Sequence, residues 1–473
     1  IFITLPQLNA DFQVGNVYFG FNLIDKKFIK EVNSECLYFE HLKSGARLFK
    51  IASSDPNKTF CINFKTDPES DSGIPHILEH SVLNGSLKFP VKSPFDVLVK
   101  GSLYTFLNAF TGNDFTSFPI ASMNEKDYFN LMNVYLDAVF FPLIYYEPKI
   151  FYQEGWHYKI ENENSSIYYN GVVYNEMKGA FSNPERNIEY YLYKLLFPDT
   201  SYKYCSGGHP DEIPKLSYTV FTNYHSRYYH PANSYILLYG DADLSKELEF
   251  IDKEYLSRFN RIIVPDLFPI QKSFDRLIIT NFYYSLPQGS SLSNQTYLVF
   301  GSVCSFNTNR IETIGLNIVS EVLINSESSP LRIALNNAKI GMDVYSYVDE
   351  LKQNVFVIIV KNANSNQFDK FTNIFINTLN NVISNGFDRK HLMGVLNRIE
   401  FNLREGDDAQ KGILYNMRIL PGWFFGNNPF LTLEYENTLS TLKSNLNTKF
   451  YESLVEKYLL KNNHSAIIVF QPK

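Results

Sequence analysis

The alternation of apolar and polar positions predicts β-strands before the first helix of the chain. Residues 36–39 and 46–51 are apolar runs on either side of the turn-like sequence Lys43-Ser44-Gly45, an arrangement typical of a β-hairpin. In residues 60–64, large apolar side chains alternate with smaller or polar ones, which is the pattern of a half-buried strand. A sheet is therefore expected in this region.

Apolar residues that recur every three or four positions predict three amphipathic helices later in the chain. The first runs through residues 128–139 and follows Ser122-x-x-Glu125, the sequence of a capping box. The second covers residues 244–255. The third covers residues 368–382 and is expected to stop at Gly386, because glycine favours the end of a helix.

An internal repeat divides the chain into two parts. Residues 230–239 resemble residues 461–470, and each segment looks like the closing strand of a domain. Between them, residues 262–272 contain proline and lack a clear period, so they are the candidate linker. Because strands and helices alternate on both sides, we predict an α+β fold of two tandem related domains, residues 1–265 and 266–473.

Composition and charge narrow the class of protein. The apolar content of 45% and the charged content of 19% are typical of a globular protein. The net charge of −6 argues against a nucleic-acid partner and is compatible with cationic peptides. The 4 cysteines are widely scattered, so we expect reduced thiols rather than a disulfide scaffold.

No targeting or membrane-spanning segment is visible. The longest apolar stretch, residues 134–146, is interrupted by Asp137 and Pro142 and is too short to cross a bilayer. Because the first residue is Ile1 rather than a methionine, we expect the chain to be processed or truncated.

The sequence His76-Ile77-Leu78-Glu79-His80 carries the clearest chemistry. On a helix, positions 76 and 80 lie on one face, close enough to bind one ion, with a carboxylate beside them. This order is the inverse of the His-Glu-x-x-His zinc motif. The alternative is a helix whose histidines are ordinary surface or core residues. With only 9 histidines in 473 residues, the spacing favours zinc-dependent hydrolysis.

A catalytic zinc site normally has three protein ligands and one water, so a third ligand is needed. The sequence offers several carboxylates, and spacing alone does not choose among them. The candidates are Glu154, Glu161, Glu163, Glu176 and Glu185.

The second part of the chain contains a possible echo of this helix at residues 318–322. If it aligns with residues 76–80, aliphatic residues replace both histidines. That domain would then keep the fold and lack the zinc ligands, although a generic buried helix explains the segment equally well.

Five segments together resemble the pitrilysin/insulinase family of inverted-motif zinc peptidases. The last four of them are most similar to its presequence protease and falcilysin branch. The segments are residues 76–85, 100–111, 135–142, 151–156 and 171–179. The resemblance implies half of a clamshell peptidase, built from two domains that each pack helices on a mostly antiparallel sheet.

The resemblance also implies the roles of the site residues. His76 and His80 correspond to zinc ligands, Glu176 to the third ligand, and Glu79 to the general base that activates a water for hydrolysis. The cofactor implied is Zn2+. His157, which follows a tryptophan in a family-like stretch, is expected to be structural rather than part of the site.

Residues 107–111 match a strand that, in the family, pairs with the extended substrate. Asn108 and Ala109 are therefore the candidate substrate-binding residues, because main-chain pairing at a sheet edge holds peptides with little sequence demand. The alternative is an ordinary core strand whose asparagine caps a turn.

The resemblance implies an oligopeptidase that degrades unfolded peptides such as cleaved targeting peptides, in an organelle of mitochondrial or plastid type, with the cytoplasm left open. Members of the branch consist of two such halves. The expected partner is therefore a C-terminal half, in the same protein or a separate chain, that supplies an Arg and a Tyr to the substrate carbonyl. The alternatives are the catalytic subunit of a heterodimeric processing peptidase and a non-catalytic scaffold of the same fold.

Overall fold

The computed structural model of the chain describes residues 11–404 and 409–473 and contains two large sheets. The first sheet lies in the order β1-β2-β3-β4-β11-β5-β8-β6, and β7 also pairs with β8; β9 and β10 form a separate hairpin. These strands are β1 Val17–Tyr18, β2 Phe21–Ile29, β3 Ser34–His41, β4 Arg47–Ala52, β5 Lys58–Lys65, β6 Tyr104–Leu107, β7 Phe110–Thr111, β8 Phe115–Ser122, β9 His157–Lys159, β10 Tyr168–Asn170 and β11 Ser234–Tyr239.

Eight α-helices accompany the first sheet in the sequence. They are α1 Ile74–Val82, α2 Pro94–Gly101, α3 Glu125–Phe140, α4 Lys149–Glu154, α5 Val172–Ala180, α6 Pro184–Leu196, α7 Tyr218–Tyr228 and α8 Leu244–Glu254. The predicted hairpin of β3 and β4 and the predicted helix α8 are both present.

The second sheet is smaller and lies in the order β12-β16-β13-β15-β14. Its strands are β12 Ile278–Tyr284, β13 Thr296–Phe306, β14 Asp343–Asp349, β15 Gln353–Ala363 and β16 Ser465–Pro472. The later helices are α9 Arg310–Ser320, α10 Pro330–Asn337, α11 Phe368–Asn385, α12 Arg389–Arg404, α13 Lys411–Phe424, α14 Phe430–Leu433, α15 Tyr435–Ser444 and α16 Phe450–Leu454. Helix α11 ends at Gly386, as predicted.

The two sheets repeat one topology, which explains the repeat in the sequence. In the first sheet β11 lies between a parallel neighbour, β4, and an antiparallel neighbour, β5. In the second sheet β16 lies in the same way between β12 and β13. Every other strand pairing in the described part of the chain is antiparallel. The predicted fold class is confirmed, and the division at residue 265 stays a prediction.

Strand β5 is buried on both faces, so the predicted half-buried strand is wrong. Phe60 and Ile62 pack in the core beneath α1 and α3, while Cys61 packs against α13 on the opposite face. Asn63 also lies on that face and donates through its side-chain amide to Asn416 of α13 at 2.9 Å. The helix that covers this face comes from about 350 residues further along the chain, where strand periodicity carries no signal.

The predicted capping box of α3 is also wrong. Asn124 is the cap, and its side-chain oxygen accepts the backbone N–H of Asp127 at 3.0 Å. Ser122 ends β8 instead, and its hydroxyl donates to the Asp127 carboxylate at 3.0 Å. An asparagine two residues later competes with serine for the same role because both side chains accept backbone N–H groups.

The predicted linker has no helix or strand, but it is packed rather than free. Phe268 is fully buried, and its ring lies 5.1 Å from that of Tyr202. The Gln271 N–H donates to the Gln353 side chain at 2.8 Å, and its own amide donates to Asp199 at 2.9 Å. This segment therefore connects β15 of the second sheet to the residues that follow α6.

Helix α6 packs against the inner face of the second sheet. Gly301 of β13 faces Leu192 of α6 so closely that a Cβ at this position would lie 2.6 Å from a leucine methyl. Apolar residues of both parts of the chain consequently form one continuous core around α6. The second sheet therefore supports α6, the helix that directly follows the one carrying Glu176.

A buried ion pair ties α8 to the first sheet. Lys50 of β4 and Glu247 of α8 are both inaccessible to solvent and lie 2.6 Å apart. The Tyr128 hydroxyl of α3 donates to the other Glu247 oxygen at 2.7 Å. Replacing one partner would leave the other as an unpaired buried charge. The loss of stability from that unpaired charge exceeds the net stabilisation that the pair provides.

We expect Lys50→Met to lower the free energy of unfolding by about 3–5 kcal/mol, because Glu247 loses its partner. Urea denaturation measures this change. The control is Lys246→Met, which removes an exposed lysine paired with Glu125 and should leave the free energy of unfolding nearly unchanged. Equal losses in the two variants would contradict the buried-pair interpretation.

Candidate metal centre

Helix α1 is held by its apolar face and presents its histidines on the other. Ile77 and Leu78 are fully buried in the core of the first sheet. His76 and His80 stand one turn apart with their ring centroids separated by 4.9 Å. The helix begins after Gly73, whose φ of 72° lies in the left-handed region that glycine adopts readily.

Glu176 of α5 faces the two imidazoles. Its Oε2 lies 3.7 Å from His76 Nε2 and 3.8 Å from His80 Nε2. Within the described residues, these three side chains form the one group of three or more potential ligands whose donor atoms lie within 4.8 Å of one another. Four zinc ligands at ordinary bond lengths are themselves separated by about 3.4 Å, so the spacing suits an ion of this kind.

The other candidate carboxylates are placed elsewhere. Glu154 of α4 is buried on the far side of His80, with its Oε2 3.4 Å from Nδ1. Glu185 forms an ion pair with Lys361 at 2.7 Å. Glu161 and Glu163 lie in the turn between β9 and β10. The geometry therefore favours Glu176 among the five candidates.

Both histidines have an acceptor behind the ring. The Nδ1–H of His76 donates to the backbone carbonyl of Gly207 at 3.4 Å, and His80 Nδ1 faces the Glu154 carboxylate. These acceptors assign the hydrogen to Nδ1 and leave the Nε2 lone pair of each ring facing Glu176. Metal-binding histidines in proteins are held in the same way, so the residues present fit a zinc ion.

Electrostatic effects differ between the two imidazoles. Burial lowers the pKa of His76 despite the nearby charges of Glu79 and Glu176. Burial also acts to lower the pKa of His80, but the hydrogen bond to Glu154 and the surrounding carboxylates outweigh it and raise the pKa. Metal binding at His80 therefore competes with protonation of this imidazole.

Glu79 lies beside the donor group at the end of a cavity. It is 9% exposed, and the Thr111 hydroxyl of β7 donates to its Oε2 at 2.6 Å. The cavity has a volume of ≈ 590 Å³, and Glu79, His80, Asn108 and Ala109 all line it. The cavity thus brings the predicted base, one predicted ligand and both predicted substrate-binding residues to one space.

Asn108 and Ala109 do not lie within a strand, so the predicted continuous strand at residues 107–111 is wrong. They form the break between β6 and β7, where the chain departs from regular pairing with β8. The Asn108 carbonyl accepts the Tyr135 hydroxyl at 3.2 Å. Their role in substrate binding stays a prediction.

Comparisons with known proteins give matches to part or nearly all of the chain. The family described as "Peptidase M16 inactive domain" matches residues 215–398, a range that does not include the donor group. The chain is 43% identical to Protein HypA of Clostridium perfringens over 98% of the chain and 48% of that protein. It is 36% identical to Presequence protease 1, chloroplastic/mitochondrial, of Arabidopsis thaliana over 96% of the chain and 43% of that protein.

Solved structures share the fold at low sequence identity. A protease from Helicobacter pylori has a TM-score of 0.71 at 15% identity and covers 95% of the chain and 99% of its own. Pitrilysin has a TM-score of 0.65 at 15% identity, with 96% of this chain matching 47% of pitrilysin. The chain spans just under half the length of the curated relatives above.

Residues 215–398 thus match a domain of the peptidase M16 class, and nearly the whole chain shares its fold with one half of pitrilysin. The chain is homologous over nearly its whole length to presequence proteases and to HypA, in agreement with the resemblance. In the described part of the chain, no helix has the length and apolarity needed to cross a membrane.

Sequence reasoning missed the groups behind the histidines. Glu154 stood among the candidate ligands, but its place is behind His80. Gly207 contributes a backbone carbonyl from 131 residues away, for which no side-chain pattern exists. His157 bonds the Tyr152 carbonyl at 2.7 Å and lies outside the donor group, in agreement with the structural role predicted for it.

His225 lies apart from the donor group in the core. Its Nε2–H donates to the Val139 carbonyl at 2.9 Å, and its Nδ1 accepts the Tyr145 hydroxyl at 2.7 Å. Burial lowers the pKa of His225 to about 4. The unfolded chain takes up a proton at this imidazole near pH 6.5, whereas the folded chain does so only near pH 4. The contribution of His225 to the free energy of unfolding is therefore complete above pH 6.5 and is lost as the pH falls toward 4.

We expect His225→Phe to weaken the pH dependence of unfolding between pH 7.5 and 5, because the titrating group is gone. At pH 5, about 1.5 units below the unfolded pKa, the contribution at stake is about 2 kcal/mol. Urea denaturation at both pH values measures it. Tyr145→Phe keeps the imidazole and should keep the steep dependence; an unchanged slope in His225→Phe would contradict the assignment.

Proposed function

We propose that this chain is the zinc-bearing half of an endopeptidase that degrades unfolded peptides, including cleaved targeting peptides. The observation that carries the proposal is the convergence of His76, His80 and Glu176 beside Glu79, at the end of a cavity. The names of the curated relatives, presequence proteases from several organisms, support peptide hydrolysis as the activity.

In this proposal His76, His80 and Glu176 hold the zinc. When bound, zinc lowers the pKa of a coordinated water and polarises a peptide carbonyl. Glu79 accepts the proton of the attacking water and passes it to the leaving amine. Thr111 holds one Glu79 oxygen by its hydroxyl, so the other oxygen is free to receive that proton.

The edge of the first sheet supports the choice of peptide as substrate. Strands β6 and β7 end this sheet in the described part of the chain, and Asn108 and Ala109 lie between them on the cavity wall. An extended peptide can pair with such an edge through its main chain, which demands little of its sequence. We therefore assign Asn108 and Ala109 to substrate binding.

A second half completes the enzyme in this proposal, either as part of the same protein or as a separate chain. This chain matches 47% of pitrilysin and 43–48% of the relatives named above. The resemblance assigns to the second half an Arg and a Tyr that steady the substrate carbonyl. The names of relatives support an organellar setting, whereas HypA is a bacterial protein.

Two alternatives follow from other observations. A processing peptidase would cut a precursor once, and the relatives' names favour degradation instead. A non-catalytic scaffold draws support from the description of the matching family as an inactive domain. That match covers residues 215–398 and does not include His76, Glu79, His80 or Glu176. The word "inactive" therefore does not apply to the residues that carry the proposed zinc site.

The test of the proposal is Glu79→Gln. We expect this variant to bind zinc normally but to lose at least about 100-fold in the cleavage of a quenched fluorescent peptide, because glutamine accepts no proton. The assay is run on the chain alone and with its second half added. Glu249→Gln, an exposed carboxylate on α8, is the matched control and should cleave normally.

Retained cleavage by Glu79→Gln would overturn the role of Glu79. Zinc binding without cleavage in any combination would favour the scaffold, and a single cut in one precursor, with other peptides left intact, would favour the processing peptidase.

A further inference from the structure

A turn at residues 205–209 packs against the start of the helix that carries both histidines. Its Gly207 carbonyl accepts the Nδ1–H of His76. The contact is so close that a Cβ on Gly73 would lie 2.7 Å from that same carbonyl oxygen. The N-terminus of α1 has no side-chain cap, and this turn packs directly against it.

The same turn also touches the helix that carries Glu176. A Cβ on Gly207 would lie 2.8 Å from the terminal methyl of Met177, the residue after Glu176. The turn is therefore wedged between α1 and α5, and its position sets both the orientation of His76 and the separation of the two helices.

Asp71 anchors this turn at both ends. Its Oδ1 accepts the backbone N–H of Cys205 at 2.8 Å, and its backbone carbonyl accepts the N–H of His209 at 2.7 Å. Its Oδ2 accepts the Tyr190 hydroxyl at 3.0 Å and pairs with Lys194 Nζ at 2.9 Å. The carboxylate is nearly inaccessible to solvent and has a partner on each oxygen, so it is fixed in place.

We propose that Asp71 is a positioning residue for the metal site, acting on His76 through the turn at residues 205–209. The inference deepens the proposed function and rests on it. Asp71 touches none of the three donors, and its effect passes through the Gly207 carbonyl, which sets the Nδ1–H form and the tilt of the His76 ring.

Asp55 provides a matched control because it accepts the same kinds of hydrogen bonds as Asp71 but lies outside the donor group. Its Oδ1 accepts the Asn57 N–H at 2.8 Å, its Oδ2 accepts the Tyr239 hydroxyl at 2.9 Å, and its carbonyl accepts the Asp241 N–H at 3.1 Å. Either Asp71→Asn or Asp55→Asn should lower the stability of the fold, whereas only Asp71→Asn should weaken zinc binding.

The experiment measures the zinc affinity of the full chain by competition with a chromophoric chelator, beside urea denaturation of each zinc-free protein. Changes in groups that orient metal ligands typically cost 10- to 100-fold in affinity. We expect Asp71→Asn to bind zinc at least about 10-fold more weakly than the unmodified chain, and Asp55→Asn to stay within about twofold.

If Asp71→Asn does not fold, the double variant Tyr190→Phe with Lys194→Met carries the test. This double variant removes both partners of the Asp71 Oδ2 atom and keeps the hydrogen bond to the Cys205 N–H. We expect it to bind zinc severalfold more weakly than the unmodified chain. Unchanged affinity in the folded variant, or equal weakening in the Asp55→Asn control, would overturn the role of Asp71 alone. Failure of the unmodified chain to bind zinc would overturn this inference together with the proposed function.

Discussion

The site depends on one constraint, the rigid convergence of two helices whose donors lie far apart in sequence. Two imidazoles on one turn of α1 offer two ligands for an ion, and Glu176 comes from a helix almost 100 residues later. A metal site built this way works only if both helices are held by their other faces. Buried apolar residues fix α1 and α5 in the core of the first part of the chain, and α6 continues that core to the second sheet.

The second part of the chain has a structural role that its sequence repeat does not reveal. Its sheet repeats the topology of the first, yet the described residues include no second donor group. Instead, it packs against α6, and its helix α13 covers the outer face of the first sheet. The first part of the chain thus carries the donor group, and the second part packs against the first and supports it.

Local signals predicted well wherever the chain's own neighbours decide the structure. The motif His76-Ile77-Leu78-Glu79-His80 specified a helix and a donor face, and residues 230–239 specified a closing strand, which the structure has at Ser234–Tyr239. The cap of α3 failed locally, because Asn124 took the role predicted for Ser122, but two other failures have a different cause. The second buried face of β5 and the carbonyl behind His76 depend on partners hundreds of residues away or on backbone atoms. No periodicity or side-chain spacing records such contacts.

The most direct test of the central claim is X-ray absorption at the zinc edge of the purified chain, with the bound zinc counted by mass spectrometry. The account predicts one zinc per chain, coordinated by two imidazole nitrogens and by oxygen, and its loss in Glu176→Ala. A chain that carries no zinc, or zinc without histidine ligands, would contradict the account.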